Sequence, residues 1–386
     1  MAIETIINTG QEEEMITTLQ KALREQRHQF APVRVVEIPK PKGGTRPLGI
    51  ATVEDRVVQT AMRLVVEPIF EADFHDCSYG YRPKRDAKQA SIAIREDLYH
   101  RAWGVVEVDF KSYFTSIPHR QLMKVITQRI ADGSLRKLIK QTLKVGVQEK
   151  GQVVPTKVGV PQGSPLSPLY SNSYLNLLDQ LWHKRGYPEK LGATLHRYAD
   201  DAILVCHKSP QPALAALEAI ATRMDLTLNR DKTHVTRVTD GVDCIGFNFV
   251  KRRSPRSGKN AIDIFPAKSA QQKMRNRLKY ITSRRAPISP QECVDMVNPI
   301  VTGWANYVRH TNASQAFRGL QRFVNLRFRR YLTQRSKGRG FGWKRFPNSK
   351  LYAMGLAYIG SGLLTYRAKP AHGVRGRLSD RRTREN

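Results

Sequence analysis

The stretch HRYADDAILV (196–205) sets Asp200 and Asp201 side by side between two apolar runs. Adjacent carboxylates repel, and neither can pair with the other. Ile203, Leu204 and Val205 demand burial, while the acids demand solvent or a cation. A hairpin meets both demands, with its strands anchored in a core and its acids aimed from the tip. A lone Asp-Asp is more often a solvated turn, so the flanks carry this reading. A third acid, Asp109, ends the short Val-rich strand WGVVEVDF (103–110). Three strand-end acids predict a carboxylate cluster, which needs a hard cation with oxygen ligands.

The rest of the chain mixes both periodicities up to about residue 250. EEMITTLQKALREQ places Met15, Leu19, Ala22 and Leu23 on one helical face. VRVVEIPKPKGGTRPLGIA reads as two strands joined at Gly43-Gly44, and 53–70 as a buried-looking helix. YSNSYLNLLDQLWHK and QPALAALEAIATRM are helical, and CIGFNFVKRR is strand-like. This is an α+β pattern. After the basic loop KRRSPRSGKN, the likeliest domain boundary, the pattern turns helical. In FRGLQRFVNLRFRRY, Phe317, Leu320, Val324, Phe328 and Tyr331 share one face. Arg318, Arg322 and Arg329 fall within about 40° of one another on a different face, free to track phosphates.

Charge divides the 386 residues in the same place. Residues 251–386 hold 31 Lys/Arg against 5 Asp/Glu, whereas the first 250 are nearly balanced, within a net charge of +32. Such asymmetry is the electrostatic footprint of a polyanion. Cys77, Cys206, Cys244 and Cys293 form no Cys-x-x-Cys pair, the N-terminus lacks the order of a signal peptide, and LYAMGLAYIGSGLL is too short to span a bilayer. A cytoplasmic protein with no membrane partner is expected.

YADD, following VDFKSYF and GVPQGSPLSPLYSNSYLNLLD, resembles the reverse transcriptases of the group II intron maturase type. The resemblance runs through IPKPKGGTRPLGIATVEDRVVQTAM, SYGYRPKRDAKQA, LTLNRDKTHV and CIGFNF, and into NPIVTGWANYVRH. These blocks keep the family's order over roughly residues 30–345. The resemblance implies a right-hand polymerase: fingers over 1–104, a palm with an antiparallel sheet over 105–252, an α-helical thumb or maturase domain over 260–345, and a basic tail over 346–386. It implies RNA-directed DNA synthesis by two-metal nucleotidyl transfer, with Mg²⁺ as the cofactor and Mn²⁺ as a substitute. Partners would be an RNA template, a DNA primer, deoxynucleoside triphosphates and, in a splicing role, intron RNA.

Carried onto this sequence, the resemblance makes Asp109, Asp200 and Asp201 the metal ligands. Phe114 would be an aromatic plate that rejects a 2′-OH, a plain core Phe being the lesser alternative. Lys40 and Arg46 would grip the triphosphate, and Gln162 in VPQGSP would contact the incoming nucleotide. Lys232 would protonate the departing pyrophosphate. Tyr198 would sit near the primer end, though a strand aromatic could equally be core. Trp304 is assigned to packing and Arg309 to a backbone contact.

Four features depart from the family: a short N-terminus, no Cys-x-x-Cys nuclease module after the thumb, Lys84 and Asp86 where Gly and Ser are usual, and Ala51 where Pro is usual. Three alternatives stay open: an intron-RNA splicing cofactor with secondary polymerase activity, an RNA-synthesising polymerase, which would be expected to lack the bulky Phe114, and a free-standing repair or defence enzyme. Oligomeric state is not legible.

Overall fold

The computed structural model describes residues 10–39, 44–99, 102–149, 152–253, 258, 260–283, 288–336 and 340–359. They form two compact units, one running to Ile245 and including Arg253–Ile262, the other made of Gly246–Arg252 and the chain from Asp263 onward.

The first unit opens with α1 (Glu12–Arg24), whose Leu19 is buried with Met15 and Leu23 packed beside it. Acids in its first turn and Lys21 and Arg24 in its last complement the helix dipole. β1 (Val33–Pro39) and β2 (Thr45–Ile50) pair antiparallel, Ile38 opposite Arg46. α2 (Val53–Glu71) starts where the Thr52 side chain accepts from Asp55 N–H at 3.1 Å. Val58, Met62, Val66 and Phe70 bury one stripe of α2, but Leu64 and Val65 face solvent at 69% and 61% exposure. That helix is therefore amphipathic rather than buried all round.

α3 (Ala87–Tyr99) follows a turn that accounts for two of the departures from the family pattern. Lys84 sits at φ +59°, a conformation glycine adopts freely and lysine only at a cost of about 1 kcal/mol. Asp86 accepts from Gln89 N–H at 2.8 Å, doing the capping work a serine would do. Next come β3 (Gly104–Val108), α4 (Tyr113–Ser116), α5 (His119–Arg129) and α6 (Gly133–Lys144). β4 (Val147–Glu149) pairs parallel with β1 and antiparallel with β5 (Gln152–Val154), completing the sheet β2-β1-β4-β5.

α7 (Ser167–Lys184) is the central helix, with Leu175, Leu178 and Trp182 fully buried. After α8 (Tyr187–Leu191) come β6 (Ala193–Tyr198), β7 (Asp201–Cys206), α9 (Pro210–Arg223) and β8 (His234–Arg237). These strands form the second sheet, β6-β7-β3-β8, antiparallel throughout, and β9 (Val242–Cys244) follows. Val106, Leu195, Leu204 and Leu217 join α7 in one core. Inside it lies an ion pair: Arg197 of β6 and Asp179 of α7 are both 0% exposed and meet at 2.6 Å.

The second unit contains most of β10 (Phe247–Arg253), part of β11 (Asn260–Pro266), and the helices α10 (Lys268–Ile281), α11 (Pro290–Val308), α12 (Ser314–Arg335) and α13 (Asn348–Ala353). β11 was not anticipated, although its buried Ile262 and Ile264 alternate as a strand should. α11 opens with a capping box between Ser289 and Glu292. The apolar face expected of α12 is buried along its length, at Phe317, Leu320, Val324, Phe328 and Tyr331.

The arginine face of α12 needs correcting. Arg318 and Arg322 are exposed, but Arg329 is fully buried. Its Nε donates to the Phe346 carbonyl at 2.8 Å, its Nη2 donates to Asn348 Oδ1, and its guanidinium lies 3.9 Å from the Trp343 ring centroid. A 20° offset between helix positions did not distinguish a phosphate contact from a cation used to hold the segment after α12. The four cysteines are buried and unbridged. Among the described residues no helix is long and apolar enough to cross a membrane.

Replacing Arg197 by Met strands Asp179 as an uncompensated buried charge. The expected loss in urea unfolding is about 3–5 kcal/mol, and Arg197→Met with Asp179→Leu should recover part of it. Equal losses for the single and double variants would show that the pair is not what holds this core.

Candidate active site

β6 and β7 are joined by two residues only, with Tyr198 opposite Asp201 and Ala199-Asp200 between them. Ala199 adopts φ +59°, where glycine is usual. Two contacts hold this strained turn. Arg197 Nη1 donates to the Ala199 carbonyl at 2.8 Å and to Asn172 Oδ1 at 2.8 Å, while Nε and Nη2 grip Asp179. Burial alone pulls the guanidinium pKa down; Asp179 outweighs it, and the net direction is up. On the other side, the segment Cys77–Gly80 runs beside β6, with Arg197 N–H donating to Cys77 O and Tyr79 N–H donating to Arg197 O. A Cβ on Gly80 would stand 2.3 Å from Ala199 N, so only glycine allows that approach.

The third acid arrives on the neighbouring strand. Val108 pairs with Ala202, so Asp109, one step beyond, leaves β3 beside Asp201. Asp109 is held by a loop the sequence reading had used only for its lysine. Asn229 Nδ2 donates to Asp109 Oδ2 at 3.0 Å, and Asn229 N–H donates to Asp109 O at 2.7 Å. Lys232 Nζ lies 3.1 Å from the same Oδ2.

The three carboxylates feel one another. The Asp201 carboxyl is pushed up to about 6, first by desolvation, then by Asp200 and Asp109, with Lys232 opposing. The residue still reaches solvent, so the crowding is that of a cleft floor and not of an enclosed cavity. Three carboxylates against one lysine leave net negative charge, which suits a divalent cation with oxygen ligands, and the donor set fits one.

Phe114 lies on α4, half-buried, its ring 5.5 Å from that of Tyr113 in an edge-on contact. The Phe114 carbonyl accepts from Val160 N–H at 2.7 Å, which fixes the VPQGSP loop alongside it. The other side of that loop meets β2, where Gly49 N–H donates to the Gln162 carbonyl at 2.7 Å. Gly163 sits at φ +110°, and a Cβ there would meet Gly49 O at 2.6 Å. The Gln162 Oε1 is buried and has no hydrogen-bond partner among the described residues. Tyr198 is half-buried, its pKa raised by burial and then by Tyr81 and Asp86.

Of the expected site residues, the first unit thus brings together Asp109, Asp200, Asp201 and Lys232, with Tyr198 on the hairpin and Phe114 and Gln162 joined by one loop. Lys40 lies outside the described residues; Arg46 is in β2 by its backbone, and its side chain lies outside them. In the second unit Arg309 is exposed, and Trp304 packs its ring edge-on against Phe317 at 6.1 Å.

The family model for Reverse transcriptase (RNA-dependent DNA polymerase) matches residues 38–249, more than half the chain, and that for the Group II intron, maturase-specific domain matches 271–347. The chain belongs to the group II intron-type reverse transcriptases. Protein YkfC of Escherichia coli (strain K12) is 33% identical over 291 residues, 66% of this chain and 75% of that protein. The group II intron-encoded protein LtrA of Lactococcus lactis subsp. cremoris is 38% identical over 172 residues, 44% of this chain and 28% of its own length. The putative COX1/OXI3 intron 2 protein of Saccharomyces cerevisiae is 34% identical over 166 residues, 43% of this chain and 19% of its own. This reverse transcriptase therefore spans most of YkfC and less than a third of the two intron-encoded relatives.

Three residues that position the site escaped the sequence reading: Arg197, Gly80 and Asn229. Only Arg197 left a signal, as a cation between residues of a buried strand. Gly80→Ala should push the turn off Asp109 and lower primer extension by at least about tenfold, equivalent to 1.4 kcal/mol, with unchanged far-UV circular dichroism. Full activity would mean that the close approach at Ala199 is not needed.

Proposed function

We propose that this reverse transcriptase extends a DNA primer on an RNA template, with Asp109, Asp200 and Asp201 holding the catalytic divalent cations. The observation that carries this reading is the meeting of three acids at neighbouring strand ends, Asp109 one step past Val108 and Asp201 one step before Ala202, the partner of Val108, with Asp200 in the turn beside it. Mg²⁺ is the natural occupant of an all-carboxylate site, and Mn²⁺ is accepted by the same ligands. Bound there, such ions would make the primer 3′-hydroxyl a better nucleophile and offset charge on the leaving group.

The chain's own residues do the rest. The primer 3′-hydroxyl gives its proton to solvent, its oxygen bonds to the α-phosphorus as the bond to pyrophosphate breaks, and the departing oxygen needs a proton. Lys232 is the donor within reach of Asp109, and its ammonium can supply that proton. Phe114 fills the space beside the sugar, so a 2′-OH would collide with its ring. Gln162, with an unpaired Oε1, is poised to meet the incoming nucleotide. Lys40 and Arg46 contribute one point charge and one planar fork to the triphosphate. Tyr198 borders the primer end. Arg309, Arg318 and Arg322 hold the nucleic-acid backbone, sequence being read by base pairing.

Asp109→Ala or Asp200→Ala should abolish extension of a DNA primer on RNA while leaving duplex affinity within about twofold of the parent, a change worth under 0.5 kcal/mol. Extension above a few per cent of the parent rate in either variant would sink the metal-ligand assignment. Phe114→Ala should raise ribonucleotide use relative to deoxynucleotide use by more than about tenfold, since a lost steric clash is worth 1.4 kcal/mol or more. An unchanged ratio in a variant that melts normally would remove Phe114 from sugar selection.

A further inference from the structure

α5 and α6 form a helical hairpin with a groove of about 450 Å³ along its outer side. Four cations line it: Arg120 and Lys124 on α5, Lys140 and Lys144 on α6. Each pair is spaced i, i+4, so its members share a helix face about 6 Å apart along the axis. The helices are consecutive and joined by a short loop, so each contributes one row of cations to the same groove. Met123 and Leu143 lie between the rows.

No hydrogen bond or ion pair engages any of these four side chains among the described residues. The only acid in the hairpin, Asp132, caps α6 by accepting from Leu135 N–H. Two facing rows of unpaired cations repel one another, and an anion lying between them would turn that repulsion into attraction.

We propose that this groove binds the phosphates of one unpaired nucleic-acid strand, outside the carboxylate cleft. The charge is complementary, the rows are linear, and consecutive cations follow one another as phosphates do along a strand. The lining also carries apolar Met123 and Leu143, against which an unpaired strand can lay base faces that a duplex keeps stacked away. It is also coupled to the site. His119, at the groove's end, has Nε2 2.6 Å from the Gly159 carbonyl, and Gly159 begins the loop that carries Gln162. The nature of the ligand rests on the polymerase reading; the anion site does not.

The test uses the full chain, fluorescent oligouridylate, and Lys124→Gln/Lys140→Gln against the charge-preserving Lys124→Arg/Lys140→Arg. The glutamine variant should bind oligouridylate less tightly, with a log affinity against log salt slope shallower by about 1.4, at roughly 0.7 per phosphate on single strands. The arginine variant should keep the parent slope, and extension of a preformed blunt-template duplex should be unchanged in both. An unchanged slope in the glutamine variant overturns the proposal. So does a parent stabilised against heat by inorganic tripolyphosphate, with that effect lost in the glutamine variant while oligouridylate binding is untouched, because the groove would then be a small-polyphosphate site. Asp109→Ala, measured in parallel, separates the two readings: it should lose extension and keep the parent slope.

Discussion

The buried pair of Arg197 and Asp179 is the interaction on which the rest of this site depends. A guanidinium with no solvent access tolerates burial only when its hydrogen bonds are satisfied, and here they are shared among Asp179, Asn172 and the Ala199 carbonyl. The same guanidinium therefore neutralises an acid on α7, fixes an amide on α7 and pins the left-handed residue of the hairpin. Asn172 passes the constraint on, donating to the Gly80 carbonyl at 2.8 Å. Helix, hairpin and the Cys77–Gly80 segment are thus locked by one planar group. A lysine could not replace it, having a single point of attachment.

The electrostatics of the cleft follow from that rigidity. Three carboxylates that could move apart would do so, and Asp201 would lose the part of its raised pKa that Asp200 and Asp109 add to desolvation. Held at adjacent strand ends, they cannot. Lys232 and Asn229 supply the opposing donors on the Asp109 side, both from the loop before β8. Raised charge density is thereby stored in the fold and released by whatever cation or proton arrives.

Much of this was legible in the sequence, and the exceptions have physical causes. The hairpin with acids at its tip could be read because burial of Ile203–Val205 and exposure of the aspartates make opposite demands on neighbouring residues. The apolar face of α12 could be read because a 3.6-residue period leaves little ambiguity over five positions. Arg329 could not be read: it differs from Arg318 and Arg322 by the aromatic Trp343, which lies beyond the end of α12 and meets it only after the chain turns back. Gly80 and Asn229 were equally opaque, because each acts on a residue more than a hundred positions away through its backbone or an amide. β11 was within reach, since Ile262 and Ile264 alternate, but a basic Pro/Gly/Ser loop was given more weight than the strand behind it.

The same separation in sequence has a consequence for how the protein is made. The turn at Ala199 is supported by residues near 80, near 175 and near 197, and Asp109 by residues near 230. Closing contacts over such spans is slow, because loop entropy must be overcome before any contact rewards it. On a ribosome the helices could form as they emerge, yet the three aspartates cannot be brought into register until the loop at Asn229 has also been synthesised. The chain is thus catalytically silent until well over half its length is available, and fragments ending before that loop should present the aspartates without ever assembling them.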